Sequence, residues 1–180
     1  MDSLRRVAFA LDIPERTLRR AAAEGLLAGE RVSQRRFQLT LGEESYLRSH
    51  WPLLRGLRGA LRTEPNVSLA VLLGSAANGS DDEHSDVELL VALSDSDVGR
   101  LAELAARLTR RIGREFEMVR LSDAKDSPAL MLDVIEQGRV LVDRDDLWHR
   151  LRAGEPRWRR KARRLARAAL DEREAGGDRA

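Results

Sequence analysis

The chain has 180 residues, 32 basic and 30 acidic side chains, no cysteine, and three histidines, His50, His84 and His149, far apart in sequence. This composition excludes a disulfide framework and a thiolate metal site, and it disfavours a histidine-rich zinc site. The length suits one medium domain or two small ones, and no apolar run approaches a signal peptide or a membrane span. A cytoplasmic protein with no membrane partner is expected.

The net charge of +2 conceals a segregation: +4 over residues 1–65, −8 over 66–147 and +6 over 148–180. An acidic middle between basic ends predicts different partners for different segments. Lys125 and Lys161 are the only lysines, so arginine carries nearly all the positive charge.

At the N-terminus, Leu4, Val7, Ala8 and Leu11 recur at helical spacing. Asp12-Ile13-Pro14 breaks that helix, and a proline suits the first turn of the next. Leu18, Ala22 and Leu26 continue an apolar face, and Gly25 is a natural helix end. "GERVSQRRFQL" then reads as a small hairpin. Across about the first 40 residues this plan resembles winged helix-turn-helix and MerR-like DNA-binding domains. The resemblance implies that the second helix offers Glu15, Arg16, Thr17, Arg19 and Arg20 to DNA, while Arg31, Arg35 and Arg36 of the wing meet phosphates. The competing reading is a helical packing unit whose arginines are solvated.

Tyr46, Trp51, Leu54, Leu57 and Leu61 predict a long amphipathic helix, with Pro52 a kink or restart within it. It is expected to join an N-terminal unit, 1–45, to a second domain over 66–147, with 46–65 as the linking helix. "VSLAVLL" is a buried strand, "AANG" the first turn of a short helix, "SDDEHS" a polar loop and "DVELLVAL" a second strand. Strand alternation places Asp86 and Glu88 on one face. The helix "SDVGRLAELAARLTRRIG" should turn Leu101, Leu104 and Leu108 inward and Arg107, Arg110, Arg111 and Arg114 outward. "EFEMVRL" is a third strand, "SPALMLDVIEQG" a helix and "RVLVD" a short last strand.

Two ionised carboxylates on one strand face need a counter-charge. Gly74 and Gly79 have phosphate-loop spacing, but Ser80 stands where that loop needs a lysine. Asp82, His84 and Asp86 suggest a calcium loop but lack its glycine and its late glutamate. Gly74-Ser75, ten residues, then Asp86-x-Glu88 resembles the signature of the minimal nucleotidyltransferases of the polymerase-β-like superfamily. The resemblance covers about 66–147 and implies an α+β domain with a mixed sheet flanked by helices.

It implies an enzyme moving an NMP from an NTP to a hydroxyl on a protein, RNA or small molecule. The cofactor the resemblance implies is Mg²⁺, with Asp86, Glu88 and Glu117 as its catalytic carboxylate ligands and Gly74, Ser75 and Asn78 as the expected nucleotide-binding residues. It also implies a role in a toxin–antitoxin pair. Three positions depart from the family pattern. The second and third aspartates are Glu88 and Glu117, each one methylene longer, and Asn78 replaces the usual turn arginine. The alternative is a DNA-binding regulator whose second domain senses nucleotide or forms a homo-oligomer.

The C-terminal segment, 148–175, contains a basic helix with Trp158, Ala162, Leu165 and Ala169 as its apolar stripe. Docking on the acidic middle is its favoured role, ahead of nucleic-acid or membrane-surface contact. "AGGDRA" is expected to be a disordered tail.

Overall fold

The break at Asp12-Ile13-Pro14 separates two short helices, α1 (Ser3–Ala10) and α2 (Glu15–Ala23). The computed structural model of the chain describes residues 3–33, 36–94 and 98–177. Asp12 takes a left-handed φ of 51° at the break, and Pro14 caps α2 from just outside rather than sitting in its first turn. Leu4, Val7, Ala8, Leu18 and Ala21 are buried between the helices. The expected Ala22 is only half-buried.

Gly25 ends the pair with φ +81°, and a side chain there would meet Val140 and Trp148 at 3.1 and 3.2 Å. β1 (Gly29–Ser33) and β2 (Arg36–Leu39) form the antiparallel hairpin. Arg35, expected to meet phosphate, lies outside the described residues.

α3 (Glu43–Arg62) runs through Pro52 as one helix, without the expected restart. It begins three residues before the expected linker, and all five of its predicted core residues are buried. α3 is a core element as well as a connection. Leu4, Leu18 and Leu26 belong to the same apolar cluster as Leu47, Leu54 and Leu57, and as Ala70, Leu72 and Leu89 of the sheet.

The sheet contains β3 (Val67–Leu73), β4 (Val87–Leu93), β5 (Phe116–Arg120) and β6 (Arg139–Asp143), in the order β5-β4-β3-β6. β3 is antiparallel to both neighbours, whereas β4 and β5 are parallel. That parallel pair requires a crossover, supplied by α5 (Val98–Ile112).

Alternation along β3 sends Ala70 and Leu72 to the face covered by α3 and α5. Leu69, Val71 and Leu73 go to a second cluster with α6 (Leu121–Ala124), α7 (Pro128–Gln137), α8 (Leu147–Ala153) and the first turns of α9 (Glu155–Gly177). Helices therefore cover both sheet faces, which explains the uninterrupted apolar run of β3.

Several expectations fail locally. α6 and α8 carry too few apolar repeats to stand out in the sequence. Of the α9 stripe only Trp158 is buried; Leu165 is 54% exposed and Ala169 is also exposed. Among the described residues α9 docks through its first turns, where Arg159 pairs with Glu136 of α7 at 2.7 Å. The expected disordered tail is helical up to Gly177, and residues 178–180 lie outside the described set. Among the described residues, no helix is long and apolar enough to cross a membrane.

Candidate functional site

β3 ends at Leu73, which pairs with Glu88, and Glu88 pairs with Glu117 across the parallel ladder. Between β3 and β4 the chain makes the short helix α4 (Gly74–Asn78). Gly74 has φ +63°, and a Cβ on it would fall within 2.8 Å of both Glu88 carboxylate oxygens. The missing side chain therefore makes room for the carboxylate. Asp86 lies just before β4 and is exposed, Glu88 is half-buried and Glu117 is exposed.

Backbone pairing brings Gly74, Glu88 and Glu117 to one end of the sheet, with Asp86 two residues from Glu88. None of the Asp86, Glu88 and Glu117 side chains makes a hydrogen bond or ion pair with another described residue. A half-buried carboxylate beside two more, with no cation among its partners, is an electrostatic deficit.

Carboxylate oxygens are the hard donors that Mg²⁺ takes, so the donor chemistry fits that ion. The three side chains do not converge: among the described residues, no group of three His, Asp or Glu is arranged to hold a metal. Ser75 is half-buried in the first turn of α4, a turn with no side-chain cap. Its N–H groups suit an anion. Asn78 is exposed, and its side-chain oxygen accepts from Ser80 N at 2.9 Å. Its carboxamide thus shapes the turn after α4.

A buried polar scaffold holds this turn, and sequence reasoning missed most of it. Tyr46, expected only as packing, donates its hydroxyl to Ala76 O at 2.9 Å. Burial pushes that hydroxyl's pKa up. Arg139 donates Nε to Ala77 O, so both carbonyls at the end of α4 find partners. The Arg139 guanidinium lies 3.6 Å above the Tyr46 ring and forms a two-pronged pair with Glu43 at 2.7 and 2.9 Å. His50 stacks on Tyr46 at 4.4 Å and reaches Asp81 at 2.7 Å.

Arg114, expected to point outward, instead turns in. It bonds Asp81 at 2.7 Å and donates Nε to Ser85 O at 3.0 Å. Burial opposes ionisation of Asp81, but the Arg114 and His50 hydrogen bonds outweigh it and hold the carboxyl below its ordinary range. The loop carrying Asp86 is therefore fixed from both sides. Asp82 closes that loop on itself, accepting from His84 N and Ser85 Oγ, each at 2.9 Å. One signal was legible: an arginine opening the apolar run "RVLVD" is costly unless it is paired.

At the N-terminus, Arg16, Thr17, Arg19 and Arg20 are exposed on α2, and Arg31 and Arg36 on the hairpin. Arg19 pairs with Glu15, and Arg20 with Glu24 at 2.7 Å.

The family described as Polymerase beta, Nucleotidyltransferase matches residues 56–147. Among solved structures, a toxin–antitoxin with AMP-PNP contains a chain 23% identical, with TM-score 0.56 over 66% of this chain and 96% of that one. A mutant of the toxin–antitoxin MntA-HpeT is 25% identical, with TM-score 0.52 over 63% and 91%. A tri-AMPylated Shewanella oneidensis HEPN toxin in complex with MNT antitoxin contains a chain 21% identical, with TM-score 0.53 over 68% and 97%. No curated relative matches the chain.

Proposed function

The chain belongs to the polymerase beta nucleotidyltransferase family, and from that premise we propose that it transfers a nucleoside monophosphate from an NTP to a hydroxyl of a partner protein. The observation that carries this reading is the unpartnered, half-buried Glu88 carboxylate, seated against Gly74 and in register with Glu117. Protein is favoured as acceptor because a similar solved structure is that of an AMPylated toxin with its antitoxin. The same likeness supports a toxin–antitoxin pairing.

In this reading Asp86, Glu88 and Glu117 would hold Mg²⁺, which when bound stabilises the attacking and leaving oxygens of an in-line displacement. The N–H groups of Gly74 and Ser75 receive NTP phosphate oxygens. The acceptor oxygen bonds to the α-phosphorus as the bond to pyrophosphate breaks. Glu117, exposed beside Glu88, takes the acceptor proton. His50, Arg114 and Arg139 act as positioning residues through Asp81 and α4.

The test is transfer of label from α-phosphate-labelled NTPs, with Mg²⁺, to cellular protein or RNA fractions. Label on protein that is lost in Asp86→Ala supports the reading. Label on RNA alone would change the acceptor, and no label on either would sink the enzymatic reading.

A second activity, DNA binding, is favoured by one observation: two short helices, α1 and α2, are followed by an antiparallel hairpin, and Arg16, Thr17, Arg31 and Arg36 are exposed on them. Replacing Arg16 and Arg20 by alanine should weaken DNA binding and flatten its salt dependence by about one unit per lost phosphate contact. Unchanged binding would leave the helix pair as scaffold.

A further inference from the structure

In the cleft between α2, α3 and β6, one carboxylate faces three guanidinium groups. Glu24 receives Arg20 at 2.7 Å, Arg58 directly, and Arg62 at 3.7 Å. Arg58 is only 11% exposed, and its Nε is buried without a partner. A single negative charge cannot compensate three positive ones. Burial lowers the Arg58 pKa first, and repulsion from Arg62 and Arg20 adds to it against the support of Glu24.

The cleft holds about 500 Å³ and has Val140–Asp143 of β6 as its floor. Arg144, Trp148 and Arg152 extend its wall. Asp143 accepts from Leu147 N and Trp148 N at 2.9 and 3.2 Å to start α8 and keeps its charge, so the lining sets Glu24, Asp143 and Asp146 against Arg20, Arg58, Arg62, Arg144 and Arg152. Asp146 is an exposed acid on the rim. Arg144 donates to the carbonyls of Arg62, Glu64 and Pro65, which fixes its charge beside the cleft without a carboxylate partner. The excess is therefore cationic, partly desolvated and held in place.

We propose that this cleft is a second ligand site, which binds a phosphate-bearing anion. Convergent guanidiniums match phosphate oxygens through charge-assisted hydrogen bonds, and the neighbouring Trp148 offers an aromatic surface to an attached base. The site is separate from the Gly74–Glu88 turn. Val140–Asp143 pairs with Leu69–Val71 on the opposite side of β3 from β4. It does not depend on the transfer reaction proposed above. The phosphate could be that of a small nucleotide or of a nucleic-acid strand.

Calorimetric titration of the full chain in EDTA, with pyrophosphate, ATP and a single-stranded oligonucleotide in turn, tests the proposal while metal-dependent binding is silenced. Arg62→Ala/Arg152→Ala changes two exposed side chains, and Glu88→Ala is the control at the other site. At least one probe should bind. The double variant should weaken it about tenfold or more, the loss expected for charge-assisted contacts, with Glu88→Ala unaffected. Binding confined to pyrophosphate or ATP identifies a small ligand. Tighter oligonucleotide binding with a steep salt dependence identifies a strand. If no probe binds, or the double variant binds like wild type, the proposal is overturned.

Discussion

The Glu88 carboxylate occupies the space that a side chain on residue 74 would need, so Gly74 and Glu88 specify each other. A Gly74→Ala protein should still fold, because the obstructing group is the mobile end of a glutamate. The left-handed φ should cost about 1–2 kcal/mol of stability. With Glu88 displaced, Mg²⁺-dependent NTP binding should fall far more than the unfolding midpoint. Urea unfolding and calorimetry on one preparation separate the two effects.

Arg139 and Glu43 are 8% and 2% exposed and paired through two hydrogen bonds. Removing one partner strands a buried charge, at about 3–5 kcal/mol. Arg139→Met should therefore lower the urea midpoint strongly. Glu43→Leu added to it should restore only part of the loss, since the hydrogen bonds to Leu26 O and Ala77 O stay broken and Ala28 N loses its Glu43 acceptor. No recovery in the double variant would show that those backbone bonds, rather than the ion pair, carry the cost.

The strands and long helices were legible because each buries a face whose period is readable. β3 is apolar throughout, and α3 repeats Tyr46, Leu54, Leu57 and Leu61 at helical spacing. Gly74, Ser75 and the carboxylate spacing also stood in the sequence. What was not legible depends on contacts far apart along the chain. Arg114 looked solvent-facing by helical phase, but it follows the turn at Gly113 and meets Asp81 thirty-three residues upstream. Tyr46 and Arg139 counted as packing and strand residues until the fold placed both on the end of α4. Leu165 completed a stripe in sequence, yet it stays 54% exposed because its helical phase alone brings no covering element.

Asp81 gives a pH signature. Its folded pKa lies below the ordinary 3.8, so its contribution to stability is present above that value and is lost as pH falls through the folded pKa. Wild type should exceed Asp81→Asn in stability at neutral pH, and the gap should close in acid below the ordinary aspartate range. Thermal unfolding across a pH series checks this. A gap independent of pH would mean that the asparagine perturbs packing instead.

The Glu117 side chain is exposed and without a partner among the described residues, so Glu117→Gln should change stability by no more than about 0.5 kcal/mol. Transfer from a labelled NTP should nevertheless fall by about a hundredfold or more, the scale of losing a general base. Full transfer by this variant would remove Glu117 from the proposed chemistry and leave Asp86 and Glu88 to be tested alone.

The proposed transfer requires a working metal–nucleotide site at the Gly74 turn. Calorimetric titration of the four NTPs with Mg²⁺ into wild type and Asp86→Ala tests it most directly, because Asp86 is exposed and its loss leaves the core untouched. Micromolar Mg²⁺-dependent binding of at least one NTP by wild type is expected, with loss of that Mg²⁺-dependent component in the variant at unchanged thermal stability. A folded wild-type protein that binds none of the four, or an Asp86→Ala variant that binds equally well, would contradict it.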